Sequence, residues 1–184
     1  GGAEPVATFV LVHGASHGGW CWEKVVPLLE AHDHRVCAPD LPGLGKDDTP
    51  PANVTLADNV EKLSRLLDKM DEPVVLVGHS LGGITISALA EARRRKLKAL
   101  VYLCAVLPTS GKTGRDMTGL DPDAMFRLSR QVSPDGLTYT FARDKVPGLF
   151  YADVSPEDRY RAMERLRPQP LAISTTPVTL TEER

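Results

Sequence analysis

The chain has 184 residues, 42% of them hydrophobic, enough to bury the core of one domain with an inserted piece. Its 22 basic and 24 acidic residues give a net charge of −2, which excludes both the basic footprint of a nucleic-acid-binding domain and an acidic solvating tail. The longest uninterrupted apolar run, Ala99 to Leu107, is too short to cross a bilayer, and no secretory pattern opens the chain, so the expectation is a soluble cytoplasmic protein with no membrane partner.

Gly1 to Ala3 carry no fold signal. Val6 to Val12 is a mostly β-branched run that predicts a first strand, ending in His13-Gly14-Ala15-Ser16, a turn without bulk at its centre. A helix is predicted over Gly19 to Leu29 despite Pro27, and a second strand over Arg35 to Ala38. Thr55 is placed to cap a helix with Asp58 three residues on, and Leu56, Val60, Leu63, Leu67 and Met70 then recur at spacings of four and three, which makes one apolar face. Strands over Pro73 to Val77 and Lys98 to Cys104 flank a helix over Gly83 to Arg94, closed by the cations Arg93 to Lys96 where they complement the helix dipole. Short continuous apolar strands alternating with helices argue α/β with a mostly parallel sheet covered on both faces.

After Val106 the texture changes. Residues 107–120 are rich in Pro, Gly, Ser and Thr, and helical pieces follow around Asp121 to Gln131 and Ser155 to Leu166, with a strand-like Leu137 to Ala142 between them. The expectation is a core over 1–106 and a largely helical cap over 107–180. Met117, Met125, Phe126, Phe141, Phe150 and Tyr151 of the cap either line a pocket or hold the cap together, packing being the commoner role.

The most informative stretch is Val74 to Ile84, where an apolar strand runs into Gly78-His79-Ser80-Leu81-Gly82 and then into an Ala-rich helix. This is a nucleophile elbow. Small residues are needed on both sides of the serine because the backbone turns sharply from strand to helix, lifting the Ser80 hydroxyl to the positive end of that helix. In such enzymes one oxyanion donor is the N–H of the residue after the nucleophile and the other comes from a loop after an earlier strand, so Leu81 and Ala15 are the candidates. Gly14, Ser16, His17, Leu107 and Phe141 are the candidate substrate-pocket residues. Cys21, Cys37 and Cys104 are odd in number and lack metal-ligand spacing, so they are expected to be reduced, partly buried thiols, and no metal is called for.

The pattern from Phe9 to Trp22 with its His-Gly-Ala-x-His-Gly-x-Trp core, together with Ala38-Pro39-Asp40-Leu41-Pro42-Gly43 and Val77 to Gly83, resembles the α/β-hydrolase superfamily. More narrowly it is similar to the plant methylesterase and hydroxynitrile lyase branch with its bacterial esterase relatives, and Arg167-Pro168 and Thr176-Pro177 extend the likeness through the cap. The resemblance implies hydrolysis of small, largely apolar carboxylic esters through an acyl-serine, without cofactor. Lyase members have Thr where Gly14 stands and Cys after the serine, so Gly14 and Leu81 favour the esterase side over cyanohydrin cleavage. A non-catalytic small-ligand binding protein is the alternative from another class, and a homodimer is compatible with the composition.

The resemblance also implies an Asp and then a His after two further strands, and neither is found by Arg184. His79 neighbours Ser80 on a strand end and should point away from its face. His13 is expected to anchor the oxyanion turn, His17 to touch the pocket without acting as base, and His32 and His34 to lie at the opposite end of the sheet. Asp40 is assigned to bonding loop amides, and the position after the Lys98 to Cys104 strand carries no acid. The sequence is therefore expected to be the N-terminal two-thirds of a larger hydrolase, or a natural fragment, lacking the C-terminal strands of the core and leaving Lys98 to Cys104 as an open sheet edge.

Overall fold

The computed structural model describes residues 6–120 and 125–181. Four parallel strands, β1 (Thr8–Val12), β2 (Arg35–Cys37), β3 (Val74–His79) and β4 (Leu97–Leu103), form one sheet in the order β2-β1-β3-β4. The chain places β2 on one side of β1, then crosses back to place β3 on the other. That reversal opens a crevice at the carboxyl ends of β1 and β3, where open α/β sheets bind their ligands.

Alternation along the strands sorts the core into two layers. Val10 and Val12 of β1 and Val74 and Leu76 of β3 face Leu63 and Leu67 of α2 (Leu56–Asp68) and Ile86 and Leu89 of α3 (Gly82–Ala92). Leu11 and Val77 face the opposite way, onto Trp22, Val26 and Leu29. The predicted cap of α2 is present: Thr55 Oγ1 accepts from Asp58 N–H while the Asp58 carboxylate accepts from Thr55 N–H. β4 is the outer strand of this sheet among the described residues, with Val101 and Leu103 exposed on the side away from α3.

The helix expected over Gly19 to Leu29 is two pieces, a 3-10 turn at Gly19–Trp22 and a short α1 at Val26–Glu30. Pro27 has no N–H to give to a preceding turn and is tolerated only in the first turn of a helix, so a new helix starts around it. The basic run Arg93 to Lys96 closes α3: Arg93 forms a two-pronged ion pair with Asp68, and residues 94–96 make the 3-10 turn into β4.

Residues 107–180 add α4 (Gly114–Thr118), α5 (Met125–Leu128), α6 (Val146–Phe150), α7 (Pro156–Arg165) and α8 (Ala172–Thr175), together with an antiparallel sheet of β5 (Arg130–Val132), β6 (Thr138–Phe141) and β7 (Gln169–Pro170). The segment is thus less helical than expected. Of the helix predicted over residues 121–131, the first four residues lie outside the described ones, 125–128 are helical, and 130–132 are a strand. The cause is a hairpin turn: Ser133-Pro134-Asp135-Gly136 folds back with Gly136 at φ +74°, and Asp135 accepts from both the Ser133 hydroxyl and Leu137 N–H. Ser155 caps α7 as its sequence predicts, accepting from Asp158 N–H with Pro156 in the first turn.

Candidate active site

Ser80 stands between the last residue of β3 and the start of α3 with φ +53°, in the left-handed region that a residue with a Cβ seldom adopts. The turn is possible because its flanks are bare. A Cβ on Gly82 would lie 2.8 Å from the His13 carbonyl oxygen and 2.9 Å from that of Val12, and one on Gly78 would lie 2.8 Å from Ile86 Cδ1. The backbone of Ser80 is fixed on both sides: its carbonyl accepts from Gly83 N–H at 3.1 Å and Val106 N–H at 2.9 Å. Its hydroxyl has no hydrogen-bond partner among the described residues.

The turn after β1 lies directly against it. A Cβ on Gly14 would come within 3.0 Å of Ser80 Cβ, so the missing side chain at 14 lets one backbone reach the other. Ala15 N–H and Leu81 N–H make no hydrogen bond within the described residues, although Leu81 opens α3, where N–H groups lack helical acceptors. These two amides flank the serine as unspent donors.

Neighbouring groups hold the turn in place. The buried His13 donates from Nδ1 to the Gly14 carbonyl at 2.8 Å, and its Nε2 accepts Leu41 N–H at 3.0 Å. Burial pulls its pKa down from 6.5 to about 4, so the ring is neutral and its tautomer is set by these two bonds. His17 donates from Nδ1 to the Ala15 carbonyl at 2.7 Å and accepts the Tyr151 hydroxyl at Nε2, also at 2.7 Å. Burial lowers the His17 pKa and raises that of Tyr151, which keeps imidazole neutral and phenol protonated. Ser16, at φ +66°, gives its N–H to Gln169 Oε1. Asp40 bonds loop amides, accepting from Gly19 N–H at 2.7 Å and Lys46 N–H at 3.1 Å.

Ser80, Leu81, Gly14, Ala15 and His17 border one cavity of about 1150 Å³, roofed by Met117, Phe126, Phe141, Phe150 and Tyr151 from residues 107–180. Two of the expected pocket residues are elsewhere. Ser16 is buried where the segment around Arg167 and Gln169 packs on the turn, and Leu107 is 57% exposed, past the point where the chain leaves the sheet. Met125 is exposed and outside the cavity. Trp20 and Trp22, absent from the expected pocket, border it with indole N–H groups that are buried and unpartnered among the described residues. Their place at the end of the turn after β1 was the available signal.

None of the five histidines is hydrogen-bonded to Ser80. His13 and His17 are committed as above, and His34 accepts Ala7 N–H at the other end of β1. His79 borders the cavity with its ring edge-on to Trp22, centroids 6.3 Å apart. The cysteines are free thiols; Cys21 and Cys37 are partly buried as expected, but Cys104 is exposed, at φ +43° just past β4. Burial pushes the Cys21 thiol up to about 12, which makes it a poor nucleophile despite its place in the cavity wall.

A parallel sheet with its serine at a strained strand-to-helix turn defines an α/β hydrolase, and the sequence matches the alpha/beta hydrolase family over residues 9–182, so the chain belongs to that family. Among curated relatives it is 47% identical over 106 residues to methylesterase 1 of Arabidopsis thaliana, covering 54% of this chain and 40% of that protein. It is 33% identical over 172 residues to methyl jasmonate esterase 1 of Vitis vinifera, covering 91% and 64%. A crystal structure of tomato methylketone synthase I with β-ketoheptanoate superposes with a TM-score of 0.86 at 28% identity, covering 98% of this chain and 75% of that one. The chain thus spans less than two thirds of these curated relatives.

Proposed function

We propose that the protein carrying this chain is a serine carboxylesterase of small, largely apolar esters. The observation that carries this is the Ser80 hydroxyl at a strained elbow, flanked by the free Ala15 and Leu81 amides and opening on a cavity walled by aromatic and aliphatic side chains. Ser80 Oγ forms a bond to the ester carbonyl carbon as its proton passes to a base. The Ala15 and Leu81 amides donate to the former carbonyl oxygen as negative charge develops on it, and the loss of either would raise the barrier by about 3 to 4 kcal/mol. The tetrahedral species collapses, the alcohol leaves with the proton, and water repeats the sequence on the acyl-serine.

The base is assigned to a histidine outside residues 1–184, steadied by a carboxylate, since the described histidines are otherwise engaged or unbonded to Ser80. Residues 1–106 serve as the N-terminal part of the core and 107–180 as its cap. The free thiols support a cytoplasmic location, and among the described residues no helix is long and apolar enough to cross a membrane. The names of the relatives, methylesterase and methyl jasmonate esterase, support esters as the substrate class.

In the complete protein, Ser80→Ala should lower kcat on a short-chain aryl ester by about a millionfold and abolish covalent labelling by a fluorophosphonate. Hydrolysis that survives the substitution would overturn this assignment. Cleavage of a cyanohydrin without an acyl-enzyme would point instead to lyase chemistry, which Gly14 and Leu81 disfavour.

A further inference from the structure

The oxyanion turn is held from a point 153 residues further along the chain. Ser16 sits at φ +66°, and its own side chain contributes nothing to holding that conformation, because its Oγ is buried with no partner among the described residues. Both backbone groups of Ser16 are instead claimed by the segment returning from the cap. Gln169 Oε1 accepts Ser16 N–H at 2.9 Å, and Arg167 N–H donates to the Ser16 carbonyl at 3.1 Å. The Gln169 amide has one orientation available, since its Nε2 donates to the Pro170 carbonyl at 3.3 Å and leaves Oε1 toward Ser16. Gln169 is 2% exposed and its backbone pairs with Tyr139 of β6, so it cannot shift without disturbing the small sheet.

We propose that Gln169 is a positioning residue for the oxyanion hole. By fixing Ser16 in the left-handed region it aims the preceding Ala15 N–H at the space beside Ser80, and the hole is complete only when residues 167–169 are docked on the turn. This role rests on the serine-hydrolase function proposed above. An oxyanion donor must lie within hydrogen-bond reach of the oxygen in the transition state, so a displacement of a few tenths of an ångström affects the chemical step while leaving the apolar walls that bind the substrate in place.

The test compares Gln169→Met, which keeps the length and removes the acceptor, with Gln169→Glu, which keeps the acceptor and, with its buried carboxyl protonated, also the donor to the Pro170 carbonyl, both in the complete protein. Gln169→Met should lower kcat on a short-chain aryl ester by about 10- to 100-fold with KM within about threefold, and should weaken binding of a trifluoromethyl ketone, whose adduct places an oxyanion in the hole, by a similar factor. Gln169→Glu should restore most of kcat, and hydrogen exchange at the Ser16 amide should quicken in the Met variant alone. If the Met variant does not fold, Gln169→Asn, one methylene too short to reach Ser16, should show the same loss. Unchanged kcat and ketone affinity in these variants would overturn the role of Gln169, as would a loss carried wholly by KM or shared equally by Glu. A wild-type protein with no Ser80-dependent hydrolysis would instead overturn the hydrolase function itself, and the role of Gln169 with it.

Discussion

His13 Nδ1–H and the Gly14 carbonyl are 2.8 Å apart, and that carbonyl lies in the same rigid peptide plane as the Ala15 N–H. The imidazole therefore orients the Ala15 amide, the proposed oxyanion donor, without touching it. Leu41 N–H, bonded to Nε2, keeps the proton on Nδ1.

This arrangement gives a stability that depends on pH. The folded-state pKa of His13 is lowered from 6.5 to about 4 by burial, so between those values the unfolded chain binds a proton that the folded chain refuses. Stability from this residue is complete above pH 6.5 and falls as pH drops, by roughly 3 kcal/mol, levelling near pH 4. Urea unfolding near pH 7 and near pH 4.5 should show this slope. His13→Phe should be less stable at neutral pH, because Leu41 N–H loses its acceptor, yet flatter across the range. An equal slope in both proteins would assign the effect elsewhere.

Ser80 stores backbone strain in the same turn. Ser80→Gly should abolish hydrolysis but raise stability by up to about 1 kcal/mol, since glycine adopts φ +53° without a Cβ penalty. Calorimetry showing a lower Tm for Ser80→Gly would mean that the elbow is not strained.

The helix behind the nucleophile offers no room for a methyl group. A Cβ on Gly83 would lie 2.0 Å from the Val106 carbonyl oxygen, which is itself tied to Ser80 through the Val106 N–H. Gly83→Ala should destabilise the fold by about 1 to 3 kcal/mol and lower Tm by several degrees. An unchanged Tm would show that the two segments separate freely.

The hydroxyl of Tyr151 occupies the lone pair of His17 Nε2. Removing it in Tyr151→Phe keeps the burial that lowers the His17 pKa and takes away a hydroxyl oxygen able to accept from a protonated Nε2, so the pKa should fall further below the ordinary value. An NMR titration of the ring reads this directly, and a curve identical to wild type would place the phenol elsewhere in solution.

The elbow, the four strands and the capped helix α2 were legible in the sequence because each carries a local mark: an apolar run of strand length, glycines flanking the serine, or a Thr with an acid three residues on. Glycines at 78 and 82 admit the turn at Ser80, and Thr55 with Asp58 closes its own cap. Pro27 misled only in being read as an interruption within one helix, when its missing N–H starts a new one. The antiparallel β5-β6-β7 sheet was harder to see, since β5 is three residues long and is defined by pairing with β6 across the Ser133 to Gly136 turn. Ser16 and Leu107 were misplaced for a related reason. Which side of a loop faces a cavity depends on what packs against it, and Gln169, lying between two prolines, announces nothing locally about Ser16.

The bond between Ser16 and Gln169 also sets an order of events during synthesis. Loops this long close late, after nearby segments have settled. A nascent chain still attached to the ribosome can have the Ser80 turn formed while Gln169 remains inside the exit tunnel, with Ser16 lacking its acceptor. Until that residue emerges and docks, the turn that carries Ala15 lacks the acceptor on which, in the role proposed for Gln169, its alignment beside Ser80 depends.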